Sequence, residues 1–120
     1  MEVGTFRNKL PRLPLTLPGR GGEVDATFIV DTGFNGDLTL PLRVIQRLNA
    51  ALYDTQTHLM ANGSEVPSPV YLAEIEWLGE NRAVEIIALD GNPLLGTGLL
   101  AGCNVNIEAV EGGEIVIETL

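Results

Sequence analysis

Most of the chain alternates apolar and polar positions with the two-residue period of a β-strand. Leu13, Leu15 and Leu17 share one face of a predicted strand over 12–17, and a second strand over 24–30 follows a glycine-rich turn. Further strands are predicted over 55–61, 66–77, 83–89, 105–110 and 114–119. The pattern therefore predicts an all-β fold.

Two short segments depart from this alternation. Residues 41–50 space their apolar side chains as a helix does, and Pro41 suits a first helical position. Residues 97–101 are long enough for one helical turn. Asn62-Gly63 between two extended runs predicts a tight hairpin in which both turn residues have positive φ. We therefore expect one or two short helices beside the strands.

Length and charge narrow the class of protein. A chain of 120 residues is the size of a single domain, so residues 1–120 are predicted to form one. The net charge of −9 argues against a nucleic-acid partner, which would need clustered basic residues. No apolar run is long enough to cross a membrane. The lone Cys103 and the lack of a visible signal sequence predict a cytoplasmic location.

Few side chains are available for chemistry. His58 is the only histidine, and a Cys103–His58 nucleophilic pair is disfavoured because both residues lie in strand-like apolar surroundings. No spacing of histidine, cysteine or carboxylate side chains is typical of a metal site, so no metal or cofactor is expected. Asp31 remains, directly after an apolar run. Its simplest structural explanation is a turn in which the carboxylate binds its own backbone.

The surroundings of Asp31 favour a catalytic role. Asp31-Thr32-Gly33 follows a predicted hairpin, and Leu94-Leu95-Gly96 precedes the short helix near the end of the chain. A second Thr-Gly, Thr97-Gly98, also follows an apolar residue and one variable position. In this order and spacing, residues 10–110 resemble the retropepsin-like aspartic proteases in a non-viral, cellular form. The resemblance implies a retropepsin-like closed barrel with a flap hairpin.

The same resemblance implies a mechanism and its residues. Family members use two aspartates that share one proton, and this chain has one Asp-Thr-Gly. It therefore implies a homodimer in which Asp31 from each chain meets at a two-fold axis and cleaves a peptide or protein substrate. Thr32 and Gly33 would support the catalytic loop. Weaker candidates for substrate binding, in the flap and the subsites, are Phe34, Asn35, Asn62, Gly63, Val66 and Leu95.

The chain departs from the retroviral pattern at two positions. Retroviral members carry an Arg–Asp ion pair where this chain has Thr97 and Asn35, both neutral. Losing both charges costs less than losing one, because a lone partner would be left uncompensated. The segment 107–120 also exceeds the minimal viral enzyme, and the sequence leaves open whether it replaces the interleaved terminal strands of a dimer.

Two other interpretations remain at this point. The chain could be a non-catalytic module of the same fold that dimerises or binds an extended peptide, because fold alone does not fix function. It could also be an unrelated β-barrel with a chance Asp-Thr-Gly. That last interpretation predicts a stable monomer in which Asp31 tolerates substitution.

Overall fold

The structure, a computed structural model, describes residues 1–59 and 61–120. Those residues form ten strands and two helices of one turn each. The strands are β1 (Glu2–Arg7), β2 (Leu10–Leu17), β3 (Val24–Val30), β4 (Leu38–Leu40), β5 (Ala50–Leu59), β6 (Glu65–Trp77), β7 (Glu80–Ala88), β8 (Leu94–Leu95), β9 (Cys103–Ile107) and β10 (Glu114–Thr119). The helices are α1 (Leu42–Ile45) and α2 (Thr97–Leu100).

All ten strands belong to one mixed sheet. Their order is β5-β6-β7-β4-β8-β3-β2-β1-β10-β9. Most neighbours are antiparallel hairpin partners, whereas β3 with β8 and β4 with β7 are parallel pairs. The predicted all-β class is confirmed, with one or two short helices as expected.

The sheet folds over itself around a single core. The β6–β7 turn reaches β1, where the Leu78 amide donates to a Glu2 carboxylate oxygen at 3.0 Å. Within the described residues no backbone pairing joins the two outer strands, β5 and β9, so the sheet is open. The predicted barrel closure therefore stays a prediction. The core contains, among others, Leu13, Leu15, Leu17, Phe28, Val30, Leu38, Leu40, Ile75, Trp77, Val84, Ile86, Leu95, Leu99, Ile115 and Ile117.

Strand β4 is the element that brings distant parts of the chain together. All three of its residues are buried, because the strand lies between β7 and β8. Leu38 pairs with Ile86 on one side and with Leu95 on the other. The hydroxyl of Thr39 accepts the Leu94 amide at 2.9 Å. These contacts fix β8 beside the end of β3, where Asp31 lies.

The helix predicted over 41–50 is shorter than expected. It ends after Ile45 because the backbone that follows binds the 18–20 turn instead of continuing the helix. The Arg20 amide donates to the Arg47 carbonyl at 2.9 Å, and the Asn49 amide donates to the Pro18 carbonyl at 3.3 Å. Tertiary hydrogen bonds thus override a helical apolar spacing.

The hairpin turn at Asn62-Gly63 is present, but its conformation differs from the prediction. Of the two residues only Gly63 has a positive φ, at 86°. The Asn62 side-chain oxygen instead accepts the amide of Ser64 at 2.9 Å. The strand predicted over 55–61 begins earlier, at Ala50, and is described as far as Leu59. Met60, which belongs to the predicted range, lies outside the described residues.

Candidate active site

Asp31 lies at the carboxyl end of β3, in the middle of the sheet. Its amide donates to the Leu95 carbonyl at 2.9 Å, which extends the parallel pairing of β3 with β8 by one residue. The side chain is half-buried. Asp31 is therefore held by its backbone, while its carboxylate remains accessible at the surface.

The loop after Asp31 turns sharply around the carboxylate. Oxygen Oδ1 accepts the Gly33 amide at 2.8 Å, and the Asp31 carbonyl accepts the Phe34 amide at 3.2 Å. A Cβ at Gly33 would lie 3.2 Å from Oδ1, so glycine gives the carboxylate room. Among the described residues no hydrogen bond reaches Oδ2. This turn is the one expected from a purely structural role, and it also leaves one oxygen free for chemistry.

Residues 96–98, at the start of α2, hold the 31–37 loop through backbone hydrogen bonds, and we call this set of contacts the clamp. The Phe34 carbonyl accepts the Thr97 amide at 2.8 Å and also its hydroxyl at 3.3 Å. The Gly96 amide donates to the Asp37 carbonyl at 2.9 Å. The Gly98 amide donates to the Gly36 carbonyl at 3.0 Å. Thr97-Gly98 thus contacts the residues that directly follow the first Thr-Gly.

Gly96 makes this close approach possible. A Cβ at this position would lie 2.3 Å from the Gly36 carbonyl oxygen and 2.5 Å from the Phe34 carbonyl oxygen. Both neighbours are backbone atoms of the loop that carries Asp31, so neither can move without displacing that loop. The clamp depends on glycine for steric reasons.

Two charged residues that the sequence analysis did not single out hold the clamp to β7. The Asp37 oxygen Oδ2 accepts the Glu85 amide at 3.0 Å, and Arg82 donates from Nη2 to the Gly98 carbonyl at 2.9 Å. The other carboxylate oxygen of Asp37 lies where a Cβ on Gly98 would contact it, at 2.4 Å. The only feature of the sequence that could have indicated the role of Asp37 is its position between a glycine and a buried strand.

One of the two positions that the resemblance equates with the retroviral ion pair has a hydrogen bond in this chain. Thr97 donates its hydroxyl to the Phe34 carbonyl, and the side chain of Asn35 is exposed. A neutral hydrogen bond from Thr97 therefore supports the loop at one of these two positions.

The predicted subsite residues near the loop divide into two groups. Phe34 is half-buried, and its ring lies so close to Gly36 that a Cβ there would be 2.5 Å from the ring atom Cζ. Leu95 is fully buried in the core, so its side chain does not line a surface subsite, and that assignment is corrected. Its neighbour Leu94 faces the other side of the sheet and is half-buried, which makes it the better candidate.

The hairpin formed by β5 and β6 contains the predicted flap residues. Asn62 and Gly63 are exposed at its turn, and Val66 is 36% exposed on β6. Within the described residues no hydrogen bond joins this hairpin to the 31–37 loop. The structure therefore brings 31–35 together with 94–98, and the described hydrogen bonds do not include the hairpin turn in that group. Large apolar side chains are exposed on the two strands: Leu52, Tyr53, Leu59, Val66 and Leu72.

The remaining candidates contribute little to a site. Cys103 is half-buried, with its Sγ 3.8 Å from the Leu99 carbonyl, and the side chain of His58 lies outside the described part of the chain. Among the described residues, no three His, Cys, Asp or Glu side chains come together as metal ligands. No helix in that part of the chain is long and apolar enough to span a membrane. The cytoplasmic location stays a prediction.

Searches with this chain against protein-family models, curated proteins and solved structures found no match. The function proposed below therefore rests on the residues of this chain and on the resemblance of its motifs.

Proposed function

We propose that the protein is a homodimeric aspartic endopeptidase, with Asp31 from each of two chains forming the catalytic pair. The observation that carries the proposal is the clamped Asp-Thr-Gly loop. Asp31 ends a central strand, keeps one carboxylate oxygen free of hydrogen bonds within the described residues, and is supported from beneath by 95–98. Such support holds a reactive group in one geometry, which catalysis requires.

The proposed mechanism needs two carboxylates, and each chain supplies only one of them, so a second chain is required. The Thr-Gly segment beneath the loop has Gly96 where the first Thr-Gly segment has Asp31, so one chain supplies one carboxylate at this place. Thr32 and Gly33 are exposed beside Asp31. An exposed loop around a carboxylate is the surface that a two-fold partner would meet, with the same residues on both sides.

The reaction would use a shared proton. Two carboxylates about 3 Å apart do not both ionise, so the pair holds one proton between them. The ionised carboxylate takes a proton from water, whose oxygen forms a bond to the scissile carbonyl carbon. The protonated carboxyl gives its proton to the carbonyl oxygen. In the resulting diol, the ionised carboxylate takes a proton from one hydroxyl while the protonated carboxyl gives its proton to the leaving nitrogen, and the C–N bond breaks. The pair is then left with one proton, as at the start.

The substrate would lie extended between the carboxylate pair and the hairpin. Exposed apolar side chains on β5 and β6 would cover it and exclude water, as flexible hairpins do in other hydrolases. Phe34, Val66 and Leu94 are the side chains we assign to apolar subsites. The curled sheet fits a retropepsin-like barrel, and barrel closure is part of this proposal.

A second candidate is a non-catalytic module that dimerises or binds peptide. The hydrogen bond from Gly33 to Asp31 favours it, because this turn explains the aspartate without any chemistry. The two candidates differ in one result, peptide cleavage that depends on Asp31.

The test is a digestion of a peptide library from acidic to neutral pH, with products identified by mass. Wild type is compared with Asp31→Asn, which keeps the oxygen that accepts the Gly33 amide, and with Asp90→Asn, which removes an exposed carboxylate elsewhere. Cleavage by wild type and Asp90→Asn alone supports the endopeptidase. Equal cleavage by Asp31→Asn would refute it, and a dimer that cleaves nothing would favour the binding module.

A further inference from the structure

A large groove on the sheet is lined by residues outside the candidate active site. It is open, has a volume of about 800 Å³, and lies beside β6, between the 18–20 turn and the start of β5. None of its lining residues belongs to 31–37 or to 94–98. A groove of this size is typical of a ligand-binding site, and the proposed reaction does not use it.

One wall of the groove is a strand edge without a strand partner. Strand β5 pairs with β6 only as far as Ala50 opposite Ala73, whereas β7 stays paired with β6 through 74–77. In the described part of the chain, no other strand pairs with 74–77. Strand β5 does not extend further along β6 because the Asn49 amide donates to the Pro18 carbonyl, at 3.3 Å.

The backbone groups at this edge belong to Glu74 and Glu76. The β6–β7 turn has two residues, both with positive φ, so the residues that flank it form a hydrogen-bonded pair. Trp77 and Ile75 therefore direct their amides and carbonyls to β7, and Glu76 and Glu74 direct theirs to the groove. Among the described turns and loops, no hydrogen bond uses these outward groups.

The charges on the groove decide what can fill it. The side chains of Glu74 and Glu76 are exposed on the outer face of β6. Arg20 is the one basic residue among the described lining residues, and it donates to the Leu48 carbonyl at 2.9 Å and to the Ala50 carbonyl at 3.5 Å. The lining thus has two carboxylates and one cation that binds backbone, in a chain with a net charge of −9. A positively charged ligand is therefore favoured.

We propose that this groove binds an extended segment of a partner protein in which a basic, an apolar and a second basic residue follow one another. The segment adds to β6 as an antiparallel strand, in continuation of β5. Its basic side chains lie opposite Glu74 and Glu76, and its apolar side chain lies opposite Ile75, which contributes to the lining. The proposal goes beyond peptide cleavage and does not depend on Asp31.

Fluorescence anisotropy with a labelled Lys-Val-Lys peptide tests the recognition. Asp31→Asn is added to every protein so that the peptide stays intact. Glu74→Gln/Glu76→Gln should bind the peptide about tenfold more weakly, because two opposite-charge pairs are lost. The matched control is Glu65→Gln/Glu118→Gln, which removes the same charge from exposed positions on β6 and β10 and should bind as the parent does. Equal loss in both double variants, or no binding by the parent, would overturn the proposal.

Backbone methylation of the peptide tests whether it pairs as a strand. Methylation of both lysine amides removes the donors that face β6, so binding should weaken at least tenfold although the charge is kept. Methylation of the valine amide, which points away from β6, should leave binding close to that of the parent peptide. Equal effects of the two modifications would show attraction of charge without strand pairing, which contradicts the proposal.

Amide hydrogen exchange locates the pairing on the protein. The Glu76 amide should exchange rapidly in the free protein and at least tenfold more slowly when the Lys-Val-Lys peptide is bound. The Ile75 amide, which binds β7, should be protected in both states. A Glu76 amide that saturating peptide leaves unchanged would overturn the proposal. Protection of that amide in the free protein would also overturn it, because a second copy or another segment would then cover the edge.

Discussion

Gly96→Ala is the substitution that the clamp beneath Asp31 predicts to be most harmful. The added Cβ would lie 2.3 Å from the Gly36 carbonyl oxygen and 2.5 Å from the Phe34 carbonyl oxygen. Forcing an extra methyl group into a packed site costs about 1–3 kcal/mol. Moving the loop away also weakens the hydrogen bonds that the clamp makes, each worth about 0.5–1.5 kcal/mol. We therefore expect the free energy of unfolding to fall by about 2–4 kcal/mol.

The assay is urea unfolding followed by the fluorescence of Trp77, the only tryptophan, which is 3% exposed in the core. Gly21→Ala is the matched control, because nothing lies within 4 Å of its Cβ. The control should keep its stability within about 1 kcal/mol of wild type. Peptide cleavage by Gly96→Ala should fall together with stability. A Gly96→Ala protein as stable as the control would refute the steric reasoning.

Other substitutions and conditions give further tests. Asp37→Ala should lower the free energy of unfolding by about 1–2 kcal/mol, since the Glu85 amide loses its acceptor. Asp37→Asn should keep most of the wild-type stability because its side chain still has an oxygen. Equal losses in the two variants would contradict a role for the accepting oxygen. Gly63→Ala and Gly79→Ala both strain a positive φ and should cost about 1 kcal/mol each, measured by thermal unfolding. Only the first should lower kcat, and an unchanged kcat would separate the hairpin turn from catalysis. Cleavage should be fastest at acidic to mildly acidic pH, where the pair holds one proton; a maximum in strongly alkaline solution would contradict a shared-proton pair.

Strand alternation and turn residues predicted the larger part of the fold. The β2–β3 hairpin, β6, β7 and the final hairpin were predicted near their positions because each has one buried and one exposed face. Strand β4 was missed since its three residues are all buried and show no alternation. The helix over 41–50 was predicted too long because hydrogen bonds to the 18–20 turn are tertiary and leave no local signal.

Only part of the candidate site was predicted, because tertiary contacts leave no local pattern in the sequence. Asp31 and the segment beneath it were identified from two short motifs, and the structure places the two in contact. The side on which a strand residue faces was harder to predict, so Leu95 was assigned to a subsite although it is fully buried. The sequence did not indicate the roles of Asp37 and Arg82, because their partners are backbone groups of distant segments.

The central claim is that two chains each give one carboxylate to a single site. It is tested most directly by mixing a fixed amount of wild type with rising amounts of Asp31→Asn and allowing the subunits to exchange. If both carboxylates are needed, mixed dimers are inactive, and an equal mixture should keep about half the activity of the wild type it contains. Activity should fall further as the variant is raised. Cleavage that stays constant at every ratio would show that each chain acts alone, and it would contradict the account.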